Sequence, residues 1–197
     1  NSMTWLTWPN RITIARILLI VPLVLCLLNM EQWPGVGRRV ALGLFCVIAL
    51  GDALDGYLAR RLGKVTPLGR FLDPLADKLV MTCTIILLAV PATAVPGARL
   101  PNWVPVLLIG KDLLVIVGFG LVYATTQQFY VQPRLLGKAC TLIQSLMIVA
   151  VLVSPDLPVL VRPVLAGIYW AAGGLAVAAA VDYLRQGNQF ARQHHAP

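Results

Sequence analysis

Half of the acidic residues in this chain stand in one short stretch. Asp52, Asp55, Asp73 and Asp77 fall within the 26 positions 52–77, out of eight Asp and Glu in 197 residues. The sequence is 58% hydrophobic and 12% charged, too apolar for an ordinary soluble domain, and reads as an integral membrane protein. In that setting a single acid at mid-membrane costs about 2.5–3.5 kcal/mol even on the lenient insertion scale, and repulsion between neighbours adds to it. Any fold of this chain has to supply partners for four carboxylates.

Helical geometry predicts where they go. With a helix ending near Arg61, a turn of 100° per residue puts Asp52, Asp55, Gly56, Ala59 and Gly63 on one face, the acids beside residues too small to fill the space. A helix beginning at Gly69 puts Gly69, Asp73, Ala76 and Asp77 on one face in the same way, and residues 62–68, with Gly63 and Pro67, read as the reversal. Eight positions separate Asp52 from Arg60 and eight separate Gly69 from Asp77. In an antiparallel hairpin that spacing sets the outer acids about 12 Å below the turn, with Asp55 and Asp73 at a shallower level. Hard divalent cations with oxygen ligands would relieve the repulsion, and two ions about 3.5–4 Å apart form the usual clamp for phosphoryl chemistry. The competing reading is a structural hairpin whose acids pair with Arg60, Arg61, Lys64, Arg70 and Lys78, although such pairs would need no cavity.

The remaining sequence predicts an all-α protein with six transmembrane helices, at 12–30, 38–61, 69–90, 103–125, 134–153 and 159–184, treated as a single membrane domain over 1–197. Residues 4–10, with Trp5 and Trp8, read as a short N-terminal interfacial segment, and Asn10 as the cap of the first helix. With the N-terminus inside, eleven of the sixteen Lys and Arg lie at the cytoplasmic ends and five (Arg38, Arg39, Arg99, Lys111, Arg162) outside or nearer that side. This favours an N-in, C-in topology whose acidic cavity opens to the cytoplasm. The net charge of +8 then belongs to loops facing anionic head groups rather than to a nucleic-acid surface. Cys26, Cys46, Cys83 and Cys140 stand singly in apolar segments and read as small buried hydrophobes. Lys111 and Asp112, among leucines and valines, read as a buried or interfacial pair, and His194-His195 as part of a solvated tail.

The spacing D-x2-D-G-x2-A-R-x8-G-x3-D-x3-D is met at every position by Asp52, Asp55, Gly56, Ala59, Arg60, Gly69, Asp73 and Asp77. It resembles the signature of the CDP-alcohol phosphatidyltransferases, a family with about six membrane helices whose signature spans the second and third. The resemblance implies that Asp52, Asp55, Asp73 and Asp77 hold two Mg2+ ions, with Mn2+ as an alternative, and that Asp77 is the general base. It also implies a CDP-diacylglycerol substrate. Asp52, Gly56, Ala59, Arg60, Thr66 and Gly69 would surround its nucleotide and diphosphate, the small residues letting cytidine approach the backbone and Arg60 holding diphosphate. A homodimer in a bacterial inner membrane is the matching expectation.

The acceptor alcohol is less constrained. The opening P-N-x-x-T-x-x-R, carried by Asn10, Thr13 and Arg16, is similar to that of phosphatidylglycerophosphate synthases and cardiolipin synthases of this family, so these three are candidate substrate-site contacts. Arg134 and Lys138, at the start of the fifth span, are candidate ligands for a phosphate on the acceptor, with membrane anchoring as the competing role. Phosphatidylglycerophosphate synthases carry a similar G-K-x-K-T-x-x-Q pattern, which here reads Gly137, Lys138, Ala139, Cys140, Thr141 and Gln144, with Cys140 at the second lysine. Lys111-Asp112 likewise stands where that subfamily has an Arg-Glu pair. Both departures lean toward the cardiolipin synthases, whose acceptor is phosphatidylglycerol; glycerol 3-phosphate is still ranked first, as the commoner acceptor for bacterial-looking chains of this length, phosphatidylglycerol second and inositol phosphate third. A reading from another class, a cation-binding membrane protein or transporter, would explain the aspartates but leave Gly56, Ala59 and Arg60 to coincidence.

Overall fold

The computed structural model describes residues 8–33, 35–62, 67–126, 135–158 and 162–194, with side chains described for 15, 17–33, 35–51, 76–118, 136–158 and 163–185. The described residues form helices and no strand: α1 (Trp8–Leu28), α2 (Val36–Leu62), α3 (Pro67–Ala89), α4 (Trp103–Thr126), α5 (Leu135–Val153) with a 3-10 turn at Ser154–Asp156, and α6 (Arg162–His194). The all-helical class expected from the sequence is observed.

Two compact units emerge, one of Asn1–Arg99 with Ile148–Val159 and the other of Leu100–Met147 with Leu160–Pro197. In the first, α1 packs against both α2 and α3. Leu23 and Leu27 of α1, Ala41, Phe45 and Ile48 of α2, and Ala76, Val80, Ile85 and Leu88 of α3 are its buried apolar residues. Their spacings of three and four are those of a helix face turned inward. The carbonyls that the end of α3 leaves unpaired are taken up by the following loop, where Thr93 Oγ1 donates to Leu87 O and Arg99 Nε donates to Ala89 O at 2.9 Å. Gly97, at φ +76°, supplies the left-handed residue that turns this loop.

In the second unit α4 and α6 pack together, and their close approaches set the direction. A Cβ on Gly173 would lie 2.6 Å from Trp103, and one on Gly118 would lie 2.8 Å from Tyr183. Both numbers rise together along the two helices, so α4 and α6 run parallel. Parallel neighbours joined through α5 are what successive crossings of a bilayer require. Trp103 is further held by Trp170, their ring centroids 4.8 Å apart.

Several boundaries differ from the sequence reading. Trp8 to Asn10, expected in an interfacial segment, already belong to α1, so Asn10 sits in the first turn rather than capping it. Pro9 accounts for this, since its missing N–H and fixed φ suit a first helical turn. Similarly α3 starts at Pro67 rather than Gly69, leaving only 63–66 between it and α2. The sixth helix runs to His194, beyond the apolar stretch, so much of the expected polar tail is helical. Residues 185–194 are polar but rich in helix formers, with Gly187 the single poor one.

Among the described residues two helices are long and apolar enough to cross a membrane, Leu136–Asp156 and Pro163–Arg185, with mean hydropathy 2.0 and 1.9. Large apolar side chains are exposed in each of the six helices, with Leu18 at 65%, Val106 at 69% and Trp170 at 71%, while Arg38, Lys111 and Gln144 are buried. That distribution inverts the one expected in water.

Candidate active site

The eight signature positions divide between two helices. Asp52, Asp55, Gly56, Ala59 and Arg60 stand in the second half of α2, and Gly69, Asp73 and Asp77 in the first half of α3. Four residues join the helices, and α1 packs on both, so the two helices that carry the signature share a neighbour. The inward register of α2, through Ala41, Phe45 and Ile48, reaches positions 52 and 55 at the next steps of four and three. On α3, positions 69 and 73 precede buried Ala76 and Val80 in the same register. By spacing alone, these positions fall in the register of the buried residues of their helices.

Asp77 is the one signature aspartate whose side chain is among those described; it is half-buried and engaged in a polar interaction, as is its neighbour Lys78. The side chains of Asp52, Asp55, Arg60 and Asp73 lie outside the described set, as do those of Asn10, Thr13 and Arg16 on α1. Thr66 and Arg134 lie outside the described residues altogether. A donor set of carboxylates alone suits hard cations such as Mg2+ or Mn2+ and is wrong for soft metals.

In the second unit, Lys138 is exposed in the first turn of α5, two positions before buried Cys140 and six before buried Gln144. Lys111 Nζ of α4 lies 2.8 Å from Asp112 Oδ1, which bears out the pair expected from the sequence. The same ammonium also lies 3.5 Å from Cys140 Sγ. That contact joins two residues the sequence had marked for separate reasons, and no periodicity links them across 29 positions. All four cysteines are free thiols, Cys140 the most buried. A second feature invisible in the sequence is Arg38, buried at the start of α2, which pairs with Asp156 and also donates to Leu152 O of α5.

The family model for CDP-alcohol phosphatidyltransferases matches residues 6–181. The chain is 35% identical over 153 residues to the CDP-diacylglycerol–glycerol-3-phosphate 3-phosphatidyltransferase of Bacillus subtilis, covering 73% of this chain and 75% of the relative. It is 32% identical over 143 residues to the enzyme of the same name from Aquifex aeolicus, covering 73% and 74%. A rice cardiolipin synthase (CMP-forming) is 33% identical over 196 residues, 92% of this chain and 57% of the rice protein.

Proposed function

The chain belongs to the CDP-alcohol phosphatidyltransferase family, and on that premise we propose that it transfers the phosphatidyl group of CDP-diacylglycerol to the hydroxyl of glycerol 3-phosphate. The observation that carries the reading is the complete eight-position signature split across the ends of two helices only four residues apart. In the proposed reaction the acceptor oxygen bonds to the phosphatidyl phosphorus, the bond to CMP breaks, and the products are phosphatidylglycerophosphate and CMP. Asp77 accepts the proton lost by the hydroxyl, as a carboxylate among others can because their charge raises its proton affinity. Asp52, Asp55 and Asp73, with Asp77, are the residues that would hold two Mg2+ ions. Bound there, the ions would stabilise charge developing on the diphosphate in the transition state. Gly56 and Ala59 leave the α2 backbone open to cytidine, Arg60 faces the diphosphate, and Thr66 and Gly69 complete the nucleotide site. Arg134 and Lys138 bind the phosphate of the acceptor, while Asn10, Thr13 and Arg16 contribute from α1.

In this reading all six helices cross the bilayer as one membrane domain, N-in and C-in, the active site opens to the cytoplasm of a bacterial inner membrane, and the enzyme is a homodimer. The exposed apolar side chains along every helix support a lipid surround. One specific observation favours a second acceptor: Cys140 replaces a lysine of the glycerol 3-phosphate pattern, which suits phosphatidylglycerol and a cardiolipin synthase. CMP release from CDP-diacylglycerol by the purified protein, with Mg2+ and either acceptor, decides between them. Turnover with glycerol 3-phosphate is the expected result; turnover with phosphatidylglycerol alone moves the protein to the second activity. Cation binding with no turnover for any alcohol would leave a non-enzymatic cation-binding role.

A further inference from the structure

The axial position of α2 decides where half of the acidic signature lies, because Asp52 and Asp55 follow Arg38 on the same helix. At 1.5 Å per residue Asp52 is about 21 Å from Arg38 along the axis, so whatever fixes Arg38 fixes the depth of both carboxylates. The contacts that α2 makes through Ala41, Phe45 and Ile48 are apolar. Apolar burial is non-directional, and between helices surrounded by lipid it supplies little driving force. Arg38 differs in kind. Its buried guanidinium donates through Nη1 to Leu152 O and through Nη2 to Asp156 Oδ1, the latter at 2.7 Å. Two donors of one planar group on two acceptors at one helix end set a direction as well as a distance. Leu152 and Asp156 belong to the same compact unit as α2 and α3. A buried arginine and its carboxylate add little stability over well-packed apolar residues, whereas such a pair does fix register.

We infer that Arg38 is a positioning residue for the phosphatidyl transfer: pinned to the end of α5, it holds α2 at the depth where Asp52 and Asp55 meet Asp73 and Asp77 of α3. The inference rests on the reading above, in which those four carboxylates hold the metal ions. A slip of α2 by one residue would carry both of its aspartates about 1.5 Å along the axis and about 100° around it. A misplacement of about 1 Å, even from a change far from the chemistry, costs about a hundredfold in rate.

The test measures Mn2+ binding to the purified protein in mild detergent, read from loss of the free-ion electron paramagnetic resonance signal. It is paired with kcat for CMP release from CDP-diacylglycerol with Mg2+ and glycerol 3-phosphate, each well below the unfolding temperature of the variant. Arg38→Gln and Asp156→Ala each break the pin, Asp156→Asn keeps an acceptor oxygen for Nη2, and Gly173→Ala strains the other unit as a control for lost stability. Arg38→Gln is expected to weaken Mn2+ binding and to lower kcat by about tenfold or more, with KM for glycerol 3-phosphate within about threefold. Asp156→Ala should shift both quantities in the same direction, while Asp156→Asn and Gly173→Ala stay within about threefold of wild type. The side chain of Asp156 is 44% exposed, so its variants decide the matter even if Arg38→Gln does not fold. Unchanged Mn2+ binding and kcat in Asp156→Ala, or equal losses in Gly173→Ala, overturn the proposal. A wild type that binds Mn2+ and releases no CMP with any alcohol overturns instead the reading on which it rests.

Discussion

Arg38, the third residue of α2, donates through Nη2 to Asp156 Oδ1 at 2.7 Å across 118 positions of the chain. Its Nη1 donates to the carbonyl of Leu152, one of the last of α5 and without an intrahelical partner there. The side chain of Arg38 is 7% exposed, whereas that of Arg39, 3.6 Å from the same carboxylate, is 70% exposed. One arginine closes a helix end from inside and the other lies on the surface. Arg38→Ala should therefore destabilise the fold by about 2–4 kcal/mol, from the unsatisfied carbonyl and the lost packing of the stem. Arg39→Ala should stay within about 0.5 kcal/mol of wild type. Thermal unfolding of the two variants in mild detergent checks this, and equal losses would assign the stability to charge alone.

Gly173 is a second point where the fold has no room. An added Cβ would lie 2.6 Å from Trp103 Cζ3 and 3.4 Å from Leu107 Cδ1, and Trp103 is backed by Trp170. At Gly118 the added atom would meet Tyr183 Cε1 at 2.8 Å and its next neighbours only at 3.7 Å. Gly173→Ala should cost about 1–3 kcal/mol as overpacking, and more than Gly118→Ala. Thermal denaturation of both variants in the same detergent reads the order directly.

How much of this was legible beforehand depended on the range of the signal. The acidic signature was readable because its chemistry depends on spacings of three, four and eight within two helices, which periodicity converts into faces. The helix count followed from apolar runs broken by Pro and Gly. What failed was local: residues 4–10 read as an interfacial segment and Pro67 as part of a reversal, although Pro9 and Pro67 each lie in the first turn of a helix. Residues 185–194 were read from polarity as tail, whereas their helix propensity extends α6. Arg38 with Asp156, and Lys111 with Cys140, could not be foreseen, since nothing in one chain's sequence ties positions 118 or 29 apart.

The carboxylates of Asp52, Asp55, Asp73 and Asp77 are proposed to need divalent cations to coexist, so removing metal should silence the protein without unfolding it. Chelation is expected to abolish CMP release, with Mg2+ restoring it and Mn2+ restoring at least part. Asp52→Ala should lower kcat by about a thousandfold or more if ligands and charge are lost together. Full activity in excess chelator would remove metal from the reaction.

Asp77 is proposed as the base, and the expected signature of a base separates chemistry from binding. Asp77→Asn keeps the shape and removes the proton acceptor, so turnover should fall by about 10²–10⁴-fold while affinity for CDP-diacylglycerol changes little. Steady-state CMP release together with equilibrium binding of the CDP-lipid measures both. Near-normal turnover would take Asp77 out of the proton transfer.

The two basic residues at the start of α5 separate recognition from anchoring. Lys138 is exposed, at a place where a lysine contributes equally to membrane anchoring and to ligand capture. If it and Arg134 grip the acceptor's phosphate, Lys138→Ala and Arg134→Ala should each raise the acceptor KM by about tenfold while leaving the KM for CDP-diacylglycerol and the yield of membrane-inserted protein unchanged. Anchoring predicts the opposite split, with lower insertion and unaltered KM for both substrates. Measuring both Michaelis constants on protein recovered from the membrane fraction distinguishes the two, because a phosphate ligand acts on one substrate only and an anchor on neither.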